Sequence, residues 1–209
     1  MAKKAALEQF HRDTISGVAD RLFAEKGIEK TTMDDIAKEA EYSKATLYVY
    51  FKSKDEIFHY ITLKGMQMLH DKFTRVLETQ QGAIEQYMAI CKALGVFYEE
   101  YPVYFQSMLE TIASDTESRL RSETLEAIYQ AGELLNGDIE SLIHKGIEEE
   151  VFKKELPSLP TGMVFWASLS GIVSLAGKKR DYISQSTGMT REDFMDFGFK
   201  MLLQSILKN

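Results

Sequence analysis

The chain has 209 residues, 44% of them hydrophobic, with three prolines and 13 glycines, which excludes wholesale disorder and disfavours the frequent turns of an all-β chain. A net charge of −7 at pH 7 excludes non-specific binding of polyanions by the surface as a whole. The expected fold class is all-α, about nine helices, with a length that allows one domain or a small head on a larger body.

At the N-terminus, "MAKKAALEQFHRD" starts basic, but its apolar run is too short for a signal peptide. A first helix is expected over 12–26, with Ile15, Ala19, Leu22 and Phe23 on one face, and Gly27 then suits a left-handed helix end. A second helix opens at Thr32, an N-cap, with Asp34 and Asp35 in its first turn and Ile36, Ala37 and Ala40 inward. Ser43 is the next cap. The run it opens, "ATLYVYF", alternates Ala45, Leu47, Val49 and Phe51 with Thr46, Tyr48 and Tyr50, which by propensity alone reads as a strand. A lone strand among helices has no partner for its backbone groups. Read as a helix, the same run places Leu47 and Phe51 at i and i+4 toward a core, and that reading is preferred.

Ser53 caps a long helix expected to end near Thr79, with a stripe that includes Ile57, Phe58, Ile61, Leu69 and Phe73. Further helices are expected over 83–100, 102–113, 117–150, 161–178 and 190–207, divided by Gly82, Pro102, "SDTES", "LPSLP" and "SQSTGMT". Residues 156–177 carry no charge, but Pro157 and Pro160 are expected to delay the helix to about Thr161. What remains is too short and too serine-rich for a membrane span of ~20 apolar residues, and a buried helix is expected. Cys91 is alone, so no intrachain disulfide or multi-cysteine metal site can be built, and a reduced, cytoplasmic protein is expected.

Two short helices joined by a tight turn, the second with small and polar residues near its start, form a helix-turn-helix whose second helix enters the DNA major groove. The run "TTMDDIAKEAEYSKATLYVYFKSKDEIF", residues 31–58, resembles the TetR family of transcriptional regulators through Thr32, Ile36, Ala37, Ala40, Ser43, Thr46, Leu47, Tyr48, Tyr50, Phe51 and Lys54. The close likeness covers about residues 12–58. Three positions depart from the family pattern: Glu41 replaces the turn glycine, Tyr42 an aliphatic residue, and Ala45 a common glycine. A left-handed Glu41 would cost roughly 1–2 kcal/mol relative to glycine.

The resemblance implies a DNA-binding head over 1–53 and a helical ligand-binding and dimerisation body over 54–209. Helix faces and the resemblance together assign Lys44, Ala45, Tyr48 and Val49 to the bases, and Thr32, Ser43, Thr46, Tyr50 and Lys54 to phosphates. Core packing is the lesser alternative for Tyr48 and Tyr50, and Thr32 and Ser43 act as caps with or without DNA. Over 41–54 three lysines face one glutamate, although the whole of residues 1–60 carries −1 and the other 149 residues carry −6.

The last two predicted helices are apolar almost all round, so they need a second covering surface. They resemble the family's four-helix dimer interface, with Phe165, Leu169, Ile172, Val173, Phe194, Phe197, Met201 and Leu202 as contact residues of a homodimer. By the same analogy, Met66, Tyr87, Met88, Cys91, Phe97, Tyr98, Tyr101, Tyr104, Phe105, Met108, Tyr129 and Trp166 would line a cavity for a small-molecule inducer; at helical spacing they also suit a plain core. The expected partners are a palindromic double-stranded operator, the inducer and a second copy of the chain, with no membrane.

An enzyme is the rival class, but the sequence has no Gly-rich phosphate loop, no G-x-S-x-G and no H-E-x-x-H, so neither catalysis nor a cofactor is expected. His59 and His70 fall on one face of the long helix and could hold a metal with Asp71 or Glu56, yet structural histidines are commoner and no metal is expected. A second rival is a helical dimer that binds a small molecule or protein without reading DNA.

Overall fold

The computed structural model describes residues 2–111 and 122–208. Among them are ten α-helices and no strand: α1 Ala2–Lys26, α2 Met33–Glu39, α3 Lys44–Tyr50, α4 Lys54–Thr79, α5 Ala83–Glu100, α6 Pro102–Glu110, α7 Glu123–Glu148, α8 Ser158–Lys178, α9 Arg180–Thr187 and α10 Arg191–Ile206. The one antiparallel bridge among the described residues pairs Phe152 with Leu207. Two compact units divide the chain, one of residues 1–66 and 101–130, the other of 67–100 and 131–209.

In the first unit α1, α2 and α3 pack on one another, and α6 packs on α1. Ile15, Ala19, Ile36, Leu47, Phe51, Ile57 and Ile61 are fully buried there, which is the apolar face read from spacing. The helix ends have identifiable causes. Gly27, at φ +81°, stops α1, and its N–H reaches the Phe23 carbonyl. Thr32 and Asp35 form a capping box at α2, and the Thr32 backbone N–H and hydroxyl hold the Asp35 carboxyl below the usual carboxylate range. Ser53 caps α4, its Oγ accepting from the Glu56 N–H at 3.1 Å. Ten residues earlier than expected, α1 already begins at Ala2: residues 2–11 are good helix formers without a breaker, but residues 3–10 are exposed, so no buried stripe announced them.

In the second unit α8 packs against α5 and α10, and α9 sits against both α8 and α10. Pro157 and Pro160 did not delay α8, which starts at Ser158: a proline in the first turn lacks only an N–H that has no intrahelical partner anyway. At 21 residues α8 is long and apolar enough by length and composition to cross a membrane, but Phe165, Leu169, Val173 and Ala176 are buried within the unit. The short α9 was not foreseen. Only Ile183 of its eight residues is buried, and Gly188 at φ +72° ends it. A second capping box, Thr190 with Asp193, opens α10. Arg191, 4% exposed, follows it and donates to Glu99 at 2.8 Å and to the Gly95 carbonyl at 3.2 Å, tying α10 to α5.

Two expected ends shift. The α6 helix ends at Glu110, where Thr111 turns extended, instead of at 113. The helix expected over 117–150 is described from Glu123 and stops at Glu148, where Glu150 takes a left-handed φ of 57°. Its predicted start and the "SDTES" break fall in 112–121, outside the described residues.

Candidate nucleic-acid interface

The link between α2 and α3 is a Schellman turn: the Tyr42 N–H donates to the Ala37 carbonyl at 2.9 Å and the Glu41 N–H to the Lys38 carbonyl at 3.2 Å. Glu41 occupies the left-handed position at φ 59°, exposed to solvent. The turn therefore needs the conformation that the missing glycine would supply, and a non-glycine residue adopts it at a cost. Glu41→Gly is expected to stabilise the head by about 1 kcal/mol and raise its melting midpoint with duplex binding retained. A lower midpoint would contradict this account of the turn.

After the turn, Ser43 caps α3 by accepting from the Thr46 N–H at 3.0 Å, and the two hydroxyls lie 2.7 Å apart. The "ATLYVYF" segment is thus helical. Its inner side is Leu47 and, at the C-cap, Phe51, both fully buried. Lys44, Ala45, Tyr48 and Val49 all lie on the exposed side, Tyr48 at 44% and Val49 at 77% exposure. These four form one accessible surface of donor, small, aromatic and branched apolar groups, the repertoire that reads base edges in a major groove. Asp34 of α2 holds the Lys44 ammonium at 2.7 Å, and this hydrogen bond raises the lysine's pKa.

The five residues assigned to phosphate are placed differently from one another. Thr32 and Ser43 are exposed caps and Thr46 is half-buried beside Ser43. Tyr50 is half-buried, its ring 5.0 Å from His11 and 6.4 Å from Tyr42. Lys54 donates to the Ile28 carbonyl at 2.7 Å, where it fastens the loop after α1. Tyr42, the departure next to Glu41, has its own partner: its hydroxyl lies 2.5 Å from His11 Nδ1. Sequence reading missed His11, and also Arg12 and Glu56, which meet at the other end of α3; no local pattern marks contacts between residues 31 to 44 positions apart.

The twelve residues assigned to a ligand cavity fall six to each unit. In the first, Tyr104, Phe105 and Met108 are buried and Met66, Tyr101 and Tyr129 half-buried; burial pushes the Tyr104 hydroxyl up to about 12. In the second, Tyr87, Cys91 and Phe97 are buried in the core, and the Tyr87 hydroxyl donates to the Phe199 carbonyl at 2.9 Å. Burial pushes the Cys91 thiol up to about 12. Tyr98 and Trp166 are half-buried. Met88 lines a surface cleft of about 290 Å³ with Val96, Met195 and Phe199. His70, weighed as a metal ligand, instead pairs through Nδ1 with Asp138 at 2.6 Å.

The residues assigned to a dimer contact divide by face. Phe165, Leu169 and Val173 are buried inside the unit, because α8 turns that side toward α5 and α10. They are therefore not available to a second copy. Ile172, Phe194 and Leu202 are half-buried, whereas Phe197 and Met201 are 51% and 59% exposed. The exposed apolar side of α8 is carried by Met163, Val164 and Leu175 instead.

With the turn, α3 and its caps in place, α2 and α3 form a helix-turn-helix, the fold of a DNA-binding module. Residues 15–61 match the family described as bacterial regulatory proteins, tetR family. Over the helix-turn-helix segment, then, the chain is similar to the TetR family. An uncharacterised HTH-type transcriptional regulator of Haemophilus influenzae is 28% identical over 96 residues, 46% of this chain and 51% of its own. The HTH-type transcriptional repressor KstR2 of Mycolicibacterium smegmatis is 27% identical over 97 residues, 44% of this chain and 47% of its own. The chain thus spans about half the length of these curated relatives. Among solved structures, the ketosteroid transcriptional regulator KstR2 of Mycobacterium tuberculosis shares the fold at a TM-score of 0.70 and 18% identity, covering 95% of each chain.

Proposed function

We propose that the protein is a ligand-responsive repressor that binds a palindromic operator as a homodimer and leaves it when a small, largely apolar or aromatic inducer binds. The observation that carries the DNA-reading part is the exposure of Lys44, Ala45, Tyr48 and Val49 on one side of a capped helix whose opposite side is fully buried. Repression is the activity named for the M. smegmatis relative. An apolar or aromatic inducer suits the tyrosine, phenylalanine and methionine content of α5 and α6. The working compartment proposed is the cytoplasm.

The inducer acts by preferring a state in which the two reading helices stand at the wrong separation for one DNA turn. Helix α4, the first half of which belongs to the head's unit, is the proposed lever. A ligand can weaken operator binding only by its differential affinity for the two states.

Selection from a randomised duplex pool tests the reading, followed by titration of the winning duplex against salt. A specific reader should enrich a palindrome and lose affinity steeply with salt. Failure to enrich any sequence at low salt would leave a helical dimer that binds a small molecule or protein without reading DNA.

A further inference from the structure

We infer that Arg12 of α1 and Glu56 of α4 are the positioning pair of the reading helix, setting its orientation and hence its sequence selectivity without touching DNA themselves. The inference rests on the proposal that α3 reads bases. At seven residues, α3 is too short to hold itself together in water, so its direction is set by what grips its ends.

Its C-terminal end is gripped by Arg12. Nη2 donates to the carbonyl of Tyr50, the last residue of α3, at 2.8 Å. That carbonyl has no partner within the helix, and a cation there complements the negative end of the helix dipole. The guanidinium also lies 4.6 Å from the ring centroid of Phe51 and 5.6 Å from that of Tyr60. Phe51 is fully buried, so this aromatic seat is fixed.

Glu56 completes the clamp. Its Oε1 accepts from Arg12 at 3.2 Å and its Oε2 from the Lys52 N–H at 2.7 Å, so one carboxylate joins α1 to the segment between α3 and α4. The Glu56 N–H is itself held by Ser53 Oγ at 3.1 Å. The two side chains are about three-quarters buried, at 24% and 27% exposure, which shields the pair from solvent screening. On the preceding residue of α1, His11 lies 2.5 Å from the Tyr42 hydroxyl, so consecutive residues of one helix hold the turn before α3 and the carbonyl at its end.

Base readout depends on side chains arriving at donors and acceptors in register, whereas phosphate attraction tolerates a tilt of the helix. Loosening the clamp should therefore weaken binding to the selected duplex far more than binding to an unrelated one. The test compares wild type with Arg12→Gln, Arg12→Lys and Glu56→Gln on both duplexes, below the melting point of every variant. Arg12→Gln should lose about tenfold or more of its affinity for the selected duplex, the worth of one misaligned base contact, with binding to the unrelated duplex nearly unchanged. Arg12→Lys, which keeps one donor for the Tyr50 carbonyl, should recover part of the loss, and Glu56→Gln should fall between lysine and glutamine at position 12.

A wild-type ratio of selected to unrelated binding in Arg12→Gln would overturn the inference. So would parallel losses on both duplexes that track the melting point, which is what a purely structural role predicts. Absence of any selected duplex for wild type would instead sink the DNA-reading proposal itself.

Discussion

Leu47→Ala is expected to destabilise the head by about 2–5 kcal/mol and to abolish duplex binding at 37 °C, although no atom of Leu47 is placed to touch DNA. The side chain is fully buried in the helix-turn-helix, where α3 packs on both α1 and α2. Removing it leaves a cavity beneath a helix of only seven residues. The loss is large against the 5–15 kcal/mol that typically holds a domain together. Val49→Ala is the matched control on the other side of the same helix, 77% exposed. Its effect on stability should stay within about 0.5 kcal/mol, yet it should change which duplex is selected, because an apolar side chain in the groove contacts thymine methyl groups. Chemical denaturation monitored by circular dichroism, with duplex selection alongside, separates the two. Equal stability of Leu47→Ala and wild type would refute the core assignment, and identical selection by Val49→Ala would refute the readout assignment.

That contrast was legible in the sequence because local signals agreed. Thr32, Ser43 and Ser53 each stand where a helix must begin, Gly27 where one must end, and the i, i+4 spacing of Leu47 and Phe51 needs a helix between them. The strand propensity of "ATLYVYF" lost to this because it had no neighbouring strand to pair with, whereas Ser43 could satisfy a free N–H at the start of a helix. Glu41 was legible as a candidate left-handed residue only through the resemblance, because it stands where the family has its turn glycine, and its φ of 59° agrees.

Helix edges set by breakers were also legible, and α4 and α5 begin and end where Ser53, Gly82 and Pro102 predict. Edges without a breaker or a buried stripe were not, as the exposed start of α1 and the polar α9 show. Contacts between distant residues were out of reach. Nothing local tells that Tyr87 bonds a carbonyl 112 positions away, or that Arg12 closes the end of α3. Nor can a helix that is apolar all round declare which side faces its own core. Phe165, Leu169 and Val173 share the chemistry of Met163, Val164 and Leu175, and only packing against α5 and α10 separates the two sets.

That separation directs the second large effect. Val164 and Met201 are 61% and 59% exposed on α8 and α10, two helices that pack together so closely that a Cβ at Gly198 would come 3.0 Å from the Ile172 side chain. With Met163, Leu175 and Phe197 they leave apolar side chains on the outer sides of both helices, which a second copy of the chain can cover. Val164→Glu and Met201→Glu should each convert a dimer to a monomer at micromolar concentration while helicity is retained, because an unpaired carboxylate buried in an apolar contact is strongly unfavourable and an exposed one is not. Phe165→Glu, by contrast, should unfold the second unit, since that side chain is buried within the protomer and its ring lies 5.6 Å from Tyr87. Once the two heads are no longer linked, each binds a half-site alone, and affinity for the full palindrome should fall about 100-fold or more with half-site affinity unchanged. Sedimentation velocity and titration of full and half duplexes measure both effects. If Val164→Glu and Met201→Glu remain dimeric, the contact lies elsewhere on the surface. A wild type that is monomeric at the same concentration would remove the palindrome from the proposed mechanism.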